Sequence, residues 1–187
     1  MGRPIILFYL FFDFDPHQDN LTGDDASASE VVAKMLEVFD NETENGKLYI
    51  SYPMVEALYD YRAGDCQAFA KCHVPLEEIG EYKRLSGEGN LNASARMDYA
   101  HWKDAIEVFA LRAKCLLDLD EMSFDDYRER VTTLAIYETQ REISASRASV
   151  FVLSAFPEFL LDYFKRDFWN SHVRRVRYSF DICEKGR

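Results

Sequence analysis

The feature that most constrains this chain is an uninterrupted apolar run that ends in acid. Ile5-Ile6-Leu7-Phe8-Tyr9-Leu10-Phe11-Phe12 is followed directly by Asp13-Phe14-Asp15-Pro16-His17. Eight consecutive apolar or aromatic residues predict a strand covered on both faces, as in a parallel sheet. Pro16 stops the strand, because it has no N–H to give to a ladder. Asp13 and Asp15 are two residues apart, so in extended chain they share a face, roughly 6–7 Å from one another. Carboxylates at the carboxyl end of a buried strand occupy the place where open α/β sheets put their ligands. Two hard oxygen donors there suit Mg²⁺ or Mn²⁺. The competing reading is a strand-end turn with solvated acids.

A second strand follows at the right distance. Ser27 or Ser29 can cap a helix in which Glu30 favours the first turn. Val31, Val32, Met35, Leu36 and Phe39 supply its apolar stripe, and Asn45-Gly46 ends the segment. Lys47-Leu48-Tyr49-Ile50-Ser51-Tyr52 then reads as a strand stopped at Pro53. Strand, helix and strand in this order predict a βαβ unit with parallel strands. Pro53 also suits the first turn of a further helix carrying Met54, Val55, Glu56, Ala57, Leu58 and Tyr61. Glu56 then falls at the carboxyl end of the second strand. Parallel neighbours lie about 5 Å apart, so Glu56 can approach the Asp13/Asp15 tip. A glutamate in a first turn also simply complements the helix dipole.

The remainder predicts mainly helix. A short amphipathic segment covers 75–84 and a loop covers 86–90. A helix runs from about Asp98 to Leu117, and a second long one from Ser123 to about Ser144; the pair is expected to form a hairpin. Val150–Leu153 is a short apolar run, and Pro157–Phe164 a helix capped by Ser154. Arg175-Val176-Arg177-Tyr178-Ser179-Phe180 alternates like an edge strand or is disordered. The fold class expected is therefore α/β: a small parallel sheet with a βαβ unit in residues 1–64, and a mainly helical region, 65–187, packed on it.

Charge sharpens the partner question. The 187 residues carry a net charge of -11, which argues against nonspecific nucleic-acid binding over the average surface. The stretch 165–187 is the exception, with seven Lys/Arg against three acids. It reads as a phosphate-facing strip or as a solvated tail. The four cysteines, Cys66, Cys72, Cys115 and Cys183, show no disulfide or zinc spacing, even with His73 beside Cys72. The apolar run is too short to span a membrane and lacks a cleavage motif, so a soluble, reduced, cytoplasmic protein is expected.

The Phe-Asp-Phe-Asp strand end, the helix, and Ser51-Tyr52-Pro53-Met54-Val55-Glu56-Ala57-Leu58 together resemble Toprim-like proteins of restriction and phage-defence loci, the RloB and abortive-infection type. The resemblance covers residues 5–62, about a third of the chain. It implies a truncated Toprim-like fold in which Asp13 and Asp15 form the metal-binding acidic pair and Glu56 completes or positions the site. It further implies Mg²⁺- or Mn²⁺-dependent phosphoryl transfer on nucleic acid, as in a nuclease, with His17 as a conceivable proton shuttle. The Toprim pattern also places a glutamate on a strand ahead of the acidic pair, and Ile5 has no such strand before it in this sequence. That departure favours an alternative, a catalytically inactive Toprim-derived interaction protein. A haloacid-dehalogenase-like phosphatase also uses Asp-x-Asp after its first strand, but His17 stands where that family has Thr or Val. Asp118-Leu119-Asp120 is also a poor substitute for its later acids. A short sheet with an open edge invites pairing with a second copy or a partner subunit.

Overall fold

The computed structural model describes residues 7–14, 28–63, 72–88, 97–120 and 122–172. Its centre is strand β3, Gly46–Ser51, with Leu48, Tyr49 and Tyr52 each 1% exposed. Strand β1, Tyr9–Asp13, runs parallel to β3 with Tyr9 opposite Lys47 and Asp13 opposite Ser51. Helix α1, Ala28–Val38, and the two-residue strand β2, Asp40–Asn41, lie between them in sequence. β2 pairs antiparallel with β3, so the sheet is mixed, in the order β1-β3-β2, and not wholly parallel as the sequence predicts. Asn45 donates its amide to Val38 O at 3.2 Å, closing the end of α1. Gly46 has φ +103°, and a Cβ there would stand 3.2 Å from the Phe8 Cβ, so glycine meets both demands at this crossing.

The expectation that β1 is covered on both faces fails. β3 has a strand on each side, whereas β1 is an outer strand among the described residues, and Phe8, Phe11 and Phe12 remain exposed. An apolar run specifies what a strand wants against its faces but not its place in the sheet.

Beyond β3, Pro53 follows a cis Tyr52–Pro53 bond. The chain then forms 3₁₀ turns over Val55–Ala63 in place of the expected α-helix. Strand β4, His73–Pro75, leads through a 3₁₀ turn, Leu76–Glu78, into α2, Ile79–Glu88, which absorbs the first residues of the predicted 86–90 loop. Helix α3, Tyr99–Leu116, is capped by Asp98, whose carboxylate accepts the His101 N–H at 3.0 Å.

The predicted single helix after Ser123 is two, α4, Phe124–Arg130, and α5, Thr133–Arg147. Val131, Thr132 and Thr133 are β-branched, and the Thr132 hydroxyl accepts the Ala135 N–H at 3.1 Å, which starts a new helix rather than continuing the old. Nor do α3 and its successors make a simple hairpin: α3 packs chiefly on α6. Strand β5, Ser149–Phe151, pairs antiparallel with β4. Helix α6, Ala155–His172, is longer than predicted and breaks at Lys165, where φ is 55°.

These pieces make three layers. Lys47, Tyr49 and Ser51 face α6, and Leu48, Ile50 and Tyr52 face the opposite way, as the two-residue period requires. Phe11 stacks on Phe156 at 4.8 Å on one face, and Phe14 packs on Tyr52 at 5.1 Å and Tyr137 at 6.3 Å on the other. Tyr52 and Leu153 exchange two backbone hydrogen bonds, of 2.7 and 2.9 Å, which tie the end of β3 to the chain after β5. One core joins side chains from both predicted regions, including Leu36, Leu48, Ile106, Val150 and Leu161. No helix among the described residues is long and apolar enough to cross a membrane.

Candidate functional site

The parallel pairing carries Asp13 to the carboxyl end of the sheet. Phe14 N–H donates to Ser51 O at 2.9 Å, extending the ladder one step past the acid and fixing its position beside β3. After Ser51 the chain turns at Tyr52-Pro53 and enters the 3₁₀ turns at Val55. The backbone N–H of Val55 donates to the Asp13 carboxylate, and Glu56 is the next residue.

Three charges meet here. The Asp13 carboxyl is held above the usual carboxylate range, first by its partial burial and then by the charge of Glu56. The Val55 N–H and the ammonium of Lys83, on α2, act the other way. Glu56 is partly buried, and its Oε2 is enclosed with no hydrogen-bond partner. The charge of Glu56 acts on Asp13, the one residue of the acidic tip that is described. Asp15 and His17 lie outside the described residues. Lys83 was not anticipated. Nothing in a solvated-looking helix position far along the chain reveals that α2 packs against the 3₁₀ turns that hold Glu56.

The donor set fits a small hard cation. Mg²⁺ is usually held by one or two carboxylates and keeps several waters, so Asp13 and Glu56 suffice as protein donors. An enclosed carboxylate oxygen without a donor, on a residue whose charge acts on a second carboxylate, is a local imbalance that a cation would relieve. Among the described residues no group of three His, Cys, Asp or Glu side chains converges.

A second ionic cluster lies under the α6 face of β3. Asp162 pairs with Lys47, accepts from the Tyr49 hydroxyl at 2.6 Å, and meets Arg128 Nε at 3.3 Å. One turn earlier on α6, Glu158 is pushed up to about 8, mainly by burial and then by the Asp162 charge, with Lys47 opposing. Its satisfied ion pairs mark it as a clamp between α6, α4 and β3. Cys72 is buried and Cys115 partly so.

No protein-family model, curated protein or solved structure matches the chain. The class that fold and site define is a mixed α/β protein with a carboxylate pair at the carboxyl end of two parallel strands.

Proposed function

We propose that the chain is a Toprim-like metal-binding protein, acting as a Mg²⁺- or Mn²⁺-dependent nucleic-acid phosphoryl-transfer component of a phage-defence system. The observation that carries the reading is the juxtaposition of Asp13 and Glu56, two acids from separate elements, with the Glu56 Oε2 enclosed and unpartnered. Asp13 and Glu56, with Asp15 close by in sequence, would hold the ion. A cation bound there neutralises phosphate charge and lowers the pKa of a water, which is the chemistry of metal-assisted phosphodiester cleavage. The chain's own residues do the rest. The Val55 N–H fixes the Asp13 carboxylate in place, and Lys83 supplies a positive charge that draws a phosphate toward the acids.

The test is thermal unfolding with Mn²⁺ alone as the probe, on the parent chain and on Asp13→Asn/Glu56→Gln. A stabilisation in the parent that the double variant loses supports the site, and no shift in the parent overturns it. Incubation of the Mn²⁺-loaded chain with plasmid and with single-stranded nucleic acid then separates a nuclease from an inactive, partner-binding relative.

A further inference from the structure

Apolar side chains that meet solvent gather along β1. Leu7 is 41% exposed, Phe8 55%, Phe11 38% and Phe12 48%. Helix α6 adds Tyr163, 52% exposed and 6.3 Å from the Tyr9 ring. Between them runs a backbone edge. Phe8 O accepts the Lys47 N–H at 3.0 Å, and Phe14 N–H donates to Ser51 O at 2.9 Å. Alternate residues of a parallel strand address the same neighbour, so 8, 10, 12 and 14 serve β3. Tyr9, Phe11 and Asp13 turn their N–H and C=O groups the other way, where no described strand lies. No Lys, Arg or Pro blunts the edge between Leu7 and Phe14.

We infer that β1 is the interface of a two-fold dimer, in which the β1 strands of two copies of this chain pair antiparallel about Phe11.

The first argument is symmetry. β1 spans Tyr9–Asp13, and its outward-bonding residues, 9, 11 and 13, are disposed evenly about Phe11. A two-fold axis beside Phe11 sets that residue opposite Phe11 of the second copy, and Tyr9 opposite the second copy's Asp13. Each such pair exchanges both of its N–H···O bonds, so every outward group of the strand finds a partner. A second copy brings an edge of the same length with its bonding groups in matching register, and the contact closes at two.

The second argument is charge. Asp13 is the one charged side chain from residue 7 through 14. Antiparallel pairing puts the two Asp13 carboxylates at opposite ends of the paired strands, about 14 Å apart, beyond the screening length of about 8 Å at physiological salt. Parallel pairing would set them side by side, where like charges oppose the contact.

The third argument is area. An aromatic side chain offers roughly 150–250 Å², so each half-exposed group brings about 100 Å². With the strand edge between them they make roughly 600 Å² per copy, about 1,200 Å² for the pair, which reaches the lower end of stable specific interfaces. The register covers the exposed rings, since Phe12 falls beside Leu10 of the second copy and Phe8 beside its Phe14. Tyr9 of the second copy stands opposite Asp13, so each copy walls one side of the other's carboxylate. The pairing itself needs no cation.

Light scattering on the full chain tests the contact, with a dimer expected at micromolar concentration. Phe12→Lys, at an already exposed position, should keep the fold and be monomeric. Phe8→Ser/Phe12→Ser adds no charge and should weaken the dimer by about tenfold or more, and it decides the matter if the lysine variant does not fold. Backbone hydrogen exchange followed by NMR tests the register. In the parent dimer the Tyr9, Phe11 and Asp13 amides should exchange about tenfold or more slowly than in Phe12→Lys, while the Leu10 amide, bonded to β3, stays protected in both. A parent that is monomeric at high micromolar concentration overturns the inference. So does a dimer that Phe12→Lys and Phe8→Ser/Phe12→Ser leave intact, an open series of oligomers in place of a dimer, or equally fast exchange of the three amides in the parent dimer and the variant.

Discussion

Gln140 stands in for a strand beside Phe151. Its Nε2 donates to the Phe151 carbonyl at 2.8 Å, and its Oε1 accepts the Phe151 N–H at 2.9 Å. The side chain is wholly buried, on α5, and it satisfies the edge of β5 that β4 does not. Gln140→Leu leaves both backbone groups unpaired inside the core. At about 1–3 kcal/mol for each unsatisfied buried group, the expected loss is roughly 2–6 kcal/mol. Urea unfolding checks this. Gln140→Glu should lose nearly as much at neutral pH, since it sets an oxygen against the Phe151 carbonyl.

Arg112 is the most buried cation described, 4% exposed in the middle of α3. Its guanidinium donates to Val152 O and to Asp60 O, each at 3.3 Å, and lies 3.9 Å from the Asp60 carboxylate. It therefore ties α3 to the 3₁₀ turns and to the chain leaving β5. Arg112→Met strands the Asp60 carboxyl, which burial already raises against the opposing pull of Arg112. Removing one partner of a buried pair costs about 3–5 kcal/mol, and the partial exposure of Asp60 puts the expected loss near the lower figure. Asp60→Asn/Arg112→Met should recover part of that loss, measured as a double-mutant cycle in urea.

Glu158 makes stability fall as pH rises. Its folded value, about 8, lies above that of an unfolded glutamate, so between about pH 4.5 and 8 the native state binds more protons than the unfolded one. In that window the slope of unfolding free energy with pH is negative, and above pH 8 this contribution is flat. Asp162 and Lys47 act on the group, and its charge acts in turn on the Tyr49 and Tyr127 phenols. Glu158→Gln should be more stable than the parent at pH 8 and nearly equal to it at pH 5. Thermal melts at pH 5, 6.5 and 8 read the difference, and an equal gap at all three would remove Glu158 as its source.

What the sequence made legible was periodic or punctuated. The alternation of β3, the start of α3 near Asp98 and the apolar faces of α1 and α3 each follow from local spacing. The placement of Asp13 beside Ser51, at the carboxyl end of β3, follows from the same spacing. What escaped depends on long-range placement. The run at residues 5–12 looked central because it is apolar throughout, yet among the described residues β1 pairs with β3 alone, and the interior position belongs to the more polar Lys47–Ser51 segment. The division of α4 from α5 turns on one cap, at Thr132, inside an otherwise helical pattern. Lys83 and the Asp162 ion pairs come from elements distant in sequence, which no spacing connects.

The Asp13–Glu56 pair makes its own prediction with no metal present. Asp13 is raised by its partial burial and by the Glu56 charge. Glu56→Gln removes the second cause and leaves the Val55 N–H and Lys83 in place, so the Asp13 pKa should fall toward the ordinary carboxylate value. A raised carboxyl costs native stability at any pH above the unfolded pKa, and the variant should therefore be more stable than the parent at pH 7. The gain should shrink as both forms are acidified through the carboxylate range. Lys83→Gln should act oppositely, raising Asp13 further. Carbon-detected NMR titration of the Asp13 carboxyl reads both shifts directly. An Asp13 titration unmoved by Glu56→Gln would mean that the two carboxylates do not share a site, and the proposed cation would lose its second ligand.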